Sequence, residues 1–189
     1  MDGMFNEAVT FDSNLSRWNV SSVTDMRQMF SGAIAFNGDL SSWDVSSVTT
    51  MNGMFAQAIE FNSDLSSWDV SSVIDMSTMF NIIFGGSDFN SDLANWDVSS
   101  VIYMSYMFYG ASSFNGDLSS WNISSVIDMS SMFYFASSFN QDLCNWVTDF
   151  PYDSASEIFY LSGCTFPSDP NLDQRGPFCA SSSCPITAG

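Results

Sequence analysis

Six methionines recur at a nearly fixed interval: Met1, Met26, Met51, Met76, Met104 and Met129 stand 25, 25, 25, 28 and 25 residues apart. The other apolar columns keep the same register. Met-Phe pairs fall at Met4-Phe5, Met29-Phe30, Met54-Phe55, Met79-Phe80, Met107-Phe108 and Met132-Phe133. A second aromatic column is Phe11, Phe36, Phe61, Phe89, Phe114 and Phe139, and a leucine column is Leu15, Leu40, Leu65, Leu93, Leu118 and Leu143. All six tryptophans share one column: Trp18, Trp43, Trp68, Trp96, Trp121 and Trp146. A unit this short cannot bury its own oily face, so successive units must stack like upon like.

Each unit reads as a short helix followed by a short strand. Met26, Met29, Phe30 and Ala33 are spaced i, i+3, i+4, i+7, one face of a helix. Trp43-Asp44-Val45 alternates as a strand with one face on a core does. Strands related by a constant shift run parallel. The expected fold class is therefore an α/β repeat solenoid of about six to seven 25-residue coils, each a strand in a parallel sheet plus a helix. Residues 1–146 hold six coils with an insertion at 81–88; residues 147–189 hold a degenerate seventh coil and a cysteine-containing, disulfide-stapled cap.

The column pattern MF-x-x-A-x-x-FN-x-DLS-x-W-D-V-S-S-V-x-x-M resembles the leucine-rich-like repeats of bacterial surface proteins and mycoplasma lipoprotein-associated domains, a domain family of unknown function. The resemblance covers residues 1–146. The tail, with Ser168-Asp169-Pro170-Asn171-Leu172 and then Gly176-Pro177-Phe178-Cys179, is similar to the cysteine-containing ends of secreted microalgal members. The resemblance implies surface exposure, adhesion or interaction, and brings no catalytic motif.

Charge narrows the function further. Lys+Arg number 3 against 21 Asp+Glu, a net charge of -18, with no Lys and no His. A sequence-independent nucleic-acid binder needs cations, so no nucleic-acid partner is expected. Docking on anionic membranes is disfavoured too, and the absence of an 18-residue apolar run excludes a helical span. Missing Lys and His removes Schiff-base and most general-base and zinc chemistry. A content of 46% hydrophobic and 16% aromatic residues excludes a disordered acidic tail.

Polar columns accompany the apolar ones. Asn37, Asn62, Asn90, Asn115 and Asn140 read as a structural ladder whose amides satisfy buried turn backbone between coils. Asp39, Asp64, Asp92, Asp117 and Asp142 precede the leucines, and Asp44, Asp69 and Asp97 follow tryptophans. Each Asp either bonds a turn amide or faces water; the alternative is a row of divalent-cation sites with loosely bound Ca²⁺. No Asp-x-Asp-x-Asp-Gly loop occurs, and no other cofactor or metal is expected. Paired serines after each strand supply turn oxygens, or alternatively a flat hydroxyl array. The sequons at Asn14, Asn19 and Asn122 are candidate glycosylation sites, with Asn19 and Asn122 favoured.

Where the repeat breaks, contacts are expected. The insertion carries Ile82, Ile83 and Phe84 as a partner-binding candidate, or a loop tucked back on the stack. Tyr103, Tyr106, Tyr109, Tyr134 and Phe135 occupy positions that are polar in earlier coils, so either the C-terminal segment or a partner covers them, the C-terminal segment being favoured. Ser154-Ala155-Ser156-Glu157 reads as a capping box. Cys144, Cys164, Cys179 and Cys184 allow three pairings; two disulfides imply an oxidising compartment. Pairing Cys144 with Cys164 would tie coils six and seven, leaving Cys179 with Cys184. Met1 sits in the repeat's own column and no signal peptide precedes it, so a mature or partial product is expected. Its first coil would then expose an unpaired edge, inviting head-to-tail self-association into a filament. The tail 180–189 is expected to be held by a disulfide or a neighbour.

The expected function is a non-catalytic extracellular structural protein of a cell surface or matrix. The alternative is an adhesion or recognition module for protein, glycan or mineral. A carboxylate-pair glycosidase is set aside because the acidic columns recur evenly and no pair stands apart.

Overall fold

In the structure, a computed structural model describing residues 1–185, equivalent residues of successive units lie one above another. Isolated parallel bridges join Asp25 to Thr50, Thr50 to Asp75, Asp75 to Tyr103 and Tyr103 to Asp128. These are single bridges and do not extend into a sheet.

The expected α/β solenoid is not what forms. Among the described residues the helical segments are two 3-10 turns, Cys144–Trp146 and Tyr152–Ser154. The stretch read as a helix is a chain of tight turns. From Met26 to Ala33 the amides alternate in destination. Met26, Gln28, Phe30 and Gly32 donate to the next unit, at Thr50, Asn52, Met54 and Ala56. Met29, Ser31 and Ala33 donate three residues back, to Met26, Gln28 and Phe30. An α-helix instead sends every amide four residues back.

The backbone shows why. Gln28 has φ +51° and Gly32 φ +72°, and the same pair of positions is left-handed at Gly53 and Gln57, Tyr106 and Gly110, Ser131 and Phe135. A left-handed residue every fourth position interrupts any right-handed helix. The one-sided spacing i, i+3, i+4, i+7 survives, because a chain turning this tightly also brings those side chains to one side. Trp43-Asp44-Val45 is likewise no strand. It is an irregular link between two turns, buried at Trp43 and Val45 and exposed at Asp44.

Apolar rows fill the interior. Phe30, Phe55, Phe80, Phe108 and Phe133 stack in one column with ring centroids 5.6–5.7 Å apart. Within each rung the partner ring lies at 3.9–4.1 Å, as in Phe30–Phe36 and Phe55–Phe61. Trp68, Trp96 and Trp121 stack at 6.5 and 6.4 Å. The methionine, leucine and valine columns close the core around them. Offset-parallel rings of this kind add a directional contribution to burial.

The rows continue past residue 146. Ala155, Ile158 and Phe159 are buried beneath Met129, Met132 and Phe133, and Met129, Ser131, Phe133 and Phe135 donate to Ser154, Ser156, Ile158 and Tyr160. The tetrapeptide 154–157 starts no helix. Glu157 is left-handed at φ +57°, and its amide is bonded by the Asp169 side chain.

The C-terminal segment then folds back through antiparallel bridges of Cys179 with Asp142 and with Phe166. Phe178, fully buried, meets Phe150 and Tyr152 edge-on. The disulfides are Cys144–Cys184 and Cys164–Cys179, not the pairing of Cys144 with Cys164. Because the segment returns to rung six, Cys184 reaches Cys144 there. Within the tail, the Ala180 amide bonds the Gln141 carbonyl, while residues 186–189 of the expected held tail lie outside the described residues.

Candidate functional site

Two polar ladders connect the rungs. The first is the asparagine column. The Asn37 Oδ1 accepts the Asn62 amide, Asn62 the Asn90 amide, Asn90 the Asn115 amide and Asn115 the Asn140 amide, each at 2.9 Å. Asp12 begins the row by accepting from Asn37, and Thr165 ends it by donating to Asn140. The row runs along an exposed edge, whereas the sequence reading put such amides on buried backbone. The second ladder was not anticipated. The indole Nε1 of Trp43, Trp68, Trp96, Trp121 and Trp146 donates to the Leu15, Leu40, Leu65, Leu93 and Leu118 carbonyls one rung earlier. The Leu-x-x-Trp spacing lies within one rung and gave no sign of a bond that crosses to the rung before.

The carboxylates serve their own turns. Asp39, Asp64, Asp92, Asp117 and Asp142 each accept the amide two residues on. Asp44, Asp69 and Asp97 do the same and also accept the Ser46, Ser71 and Ser99 hydroxyls at 2.6 Å. The serine hydroxyl and then the amide hold Asp39, Asp44 and Asp97 below the ordinary carboxylate value. Asp64 is lowered the same way by Ser66, and repulsion from Asp39 one rung away is the smallest influence on it. Among the described residues no group of three or more acidic or cysteine side chains is placed to hold a metal ion. The paired serines split their roles. In five pairs the first serine bonds the side chain two residues before it, Ser41, Ser46, Ser66 and Ser119 to an Asp and Ser124 to Asn122, and the second reaches back a rung, as Ser42, Ser47, Ser67, Ser120 and Ser125 do to the carbonyls at 16, 21, 41, 94 and 99.

Asn14, Asn19 and Asn122 are exposed. Each uses Oδ1 to accept the amide of the sequon serine, Ser16, Ser21 or Ser124. They stand in for aspartates of the same columns.

The insertion divides its three apolar residues. Ile82 is 4% exposed and continues the rung, its amide donating to Tyr109, so it is not a surface contact. Ile83 and Phe84 are 59% and 77% exposed at the tip. The C-terminal segment does not cover the tyrosines. Tyr103, Tyr106, Phe135 and Tyr160 remain exposed, because the tail returns toward residues 141–144 instead. Tyr109 and Tyr134 stack at 5.0 Å with planes 9° apart, and Tyr134 meets Tyr160 at 5.0 Å and 43°. Lost hydration, then the Glu157 carboxylate, raises the Tyr134 phenol above its ordinary value. Tyr160 was not among the aromatics singled out by sequence, since it falls where the repeat decays.

No described helix is long and apolar enough to cross a membrane. No curated protein and no solved structure shows significant similarity to the chain. A family profile described as "Mycoplasma protein of unknown function, DUF285" matches twice, over residues 1–85 and 81–164. Two matches in tandem agree with the repeated rungs, and the chain belongs to the DUF285 family.

Proposed function

We propose that the protein is a non-catalytic structural component of a cell surface or extracellular matrix. The observation that carries this reading is the use of its polar columns. From rung to rung the same asparagine, aspartate and serine do the same framework bonding, which favours scaffolding over chemistry at one singular place. Two disulfides support an oxidising compartment. The exposed sequons at Asn14, Asn19 and Asn122 are proposed glycan acceptors, and the acidic exterior is proposed to take Ca²⁺ loosely. The leucine-rich-like character and the kinship with secreted algal members belong to the same proposal.

Bonding between rungs has a direction. Alternate amides such as Met26, Gln28, Phe30 and Gly32 donate toward the C-terminal side, while those of Thr49, Ile74, Ile102 and Ile127 donate toward the N-terminal side, so the two ends of the stack differ, contact between copies along the axis is head-to-tail, and a filament is the proposed assembly. Negative-stain images of the purified protein test it: rods of variable length are expected, and uniform single particles at high concentration would overturn the filament. Intact mass of protein from its source reads glycan occupancy, and cell fractionation tests the location. A second reading has one observation in its favour. The exposed tip at Ile83 and Phe84 suits an adhesion contact, and replacing both by Ser would abolish surface adhesion while leaving rods intact.

A further inference from the structure

Five of the six tyrosines, Tyr103, Tyr106, Tyr109, Tyr134 and Tyr160, lie on three consecutive rungs. The sixth, Tyr152, is held in the cap with its hydroxyl donating to the Val147 carbonyl. Tyr106 and Tyr109 are 6.0 Å apart, Tyr109 and Tyr134 5.0 Å, and Tyr134 and Tyr160 5.0 Å. Tyr106, Tyr109, Tyr134 and Tyr160 therefore form a connected strip, its ends Tyr106 and Tyr160 exposed and Tyr109 and Tyr134 half-buried between them.

The rest of the composition limits what such a strip can do. With no lysine in the chain, cross-links that need an amine are closed to it. All four cysteines are already paired. Phenols are the side chains left that join carbon to carbon on mild oxidation, and here they are gathered in one place.

We propose that the strip is an oxidative coupling site, at which Tyr134 and Tyr160 join as dityrosine between rungs six and seven. The inference rests on the extracellular reading above, which supplies the oxidant class: a haem peroxidase with hydrogen peroxide. Each phenol loses one electron and one proton. The two phenoxyl radicals couple through ring carbons ortho to the hydroxyls, and the two ring hydrogens move off as protons while the oxygens regain theirs. The sum is two tyrosines and one peroxide to one dityrosine and two waters, a loss of two hydrogens from the protein.

Geometry selects the pair. Tyr109 and Tyr134 form an ordinary aromatic stack with planes 9° apart. Tyr134 and Tyr160 stand at the same separation but tilted by 43°, out of that stack, and Tyr160 is exposed to the oxidant. Tyr109 then acts as a neighbour that shares the radical. Because both partners belong to one folded chain, the bond forms with the advantage of an intramolecular reaction.

The disulfide-intact chain is treated with a haem peroxidase and hydrogen peroxide, followed by dityrosine fluorescence and peptide mapping. The expected product is a cross-linked peptide pair containing Tyr134 and Tyr160, two hydrogens lighter, with a yield per chain independent of protein concentration. Tyr134→Phe and Tyr160→Phe should each lose most of the emission at unchanged melting temperature, while Tyr103→Phe keeps it. Equal emission from Tyr160→Phe, a yield that rises with concentration, or no coupling where free tyrosine couples in the same mixture would overturn the proposal. The outcome is separable from that of the structural reading: filaments without dityrosine sink only the coupling site, and dityrosine in a chain that never leaves the cell sinks only the extracellular role.

Discussion

Asn90 acts through two different atoms. Its amide donates to the Asn62 side chain and its own Oδ1 accepts the Asn115 amide, both at 2.9 Å. Asn90→Ala removes one acceptor at an exposed edge, where water can take over part of the bond. The expected loss in urea denaturation is about 1 kcal/mol. Asn90→Asp keeps an acceptor oxygen, as Asp12 does natively for Asn37. It should lose clearly less at neutral pH, and equal losses would deny the ladder its energetic role. Gly110 presents the opposite case. It is left-handed at φ +67°, and a Cβ there would fall against the Ile82 carbonyl oxygen. Gly53 is also left-handed, at φ +62°, but its nearest neighbour is the Thr78 Oγ1 at 3.3 Å, the end of a side chain that can give. Gly110→Ala is expected to cost more than about 3 kcal/mol and Gly53→Ala roughly 1 kcal/mol. Thermal melts of the two variants side by side check the ranking.

At the scale of one rung, the unit is a series of turns pinned by Asp, Asn and Ser. The pH response follows from this. The bonded carboxyls Asp39, Asp44 and Asp97 sit below the ordinary value of 3.8 when folded. A lowered folded value means the contribution is complete above the unfolded pKa and is lost as pH falls through the folded one. The denaturation midpoint should therefore stay level from neutrality to about pH 5 and fall below about pH 4. A midpoint that climbs on acidification would show that relief of the net charge of -18 outweighs the turn bonds. The apolar rows of each rung were legible from the column register alone. The secondary structure was not, because Met26, Met29, Phe30 and Ala33 take the same one-sided spacing on a helix and on linked turns. What separates the two is the sign of φ at Gln28 and Gly32, and glutamine carries no mark of it. The Leu-x-x-Trp indole bonds were equally hidden, since a spacing does not say which carbonyl a side chain meets.

For the whole molecule, stability is close to a sum over rungs and their interfaces. Deleting residues 51–75 joins Thr50 to Met76 and preserves every column. The shortened chain should fold cooperatively with a lower melting temperature by calorimetry. A deletion half that long breaks the register and should yield no cooperative transition. The cap contributes differently. Cys164 and Cys179 close a loop with separation 15, so replacing both by Ser should cost about 3 kcal/mol. Limited proteolysis should then cut first in the segment after residue 164. The tyrosine positions at 103, 106, 109 and 134 stood out in the sequence, but neither the disulfide pairing nor the exposure of the strip was legible there. Both depend on where an irregular tail turns back, and the repeat says nothing about residues that leave it.

The stacked arrangement also decides how the protein bears load. Neighbouring rungs are tied by turn amides, with asparagine oxygens, indoles and serine hydroxyls adding bonds around the perimeter along most of the stack. Tension along the long axis is shared by all of these at once. A pull applied sideways at either extremity meets them a few at a time, so the molecule resists stretching and yields to peeling.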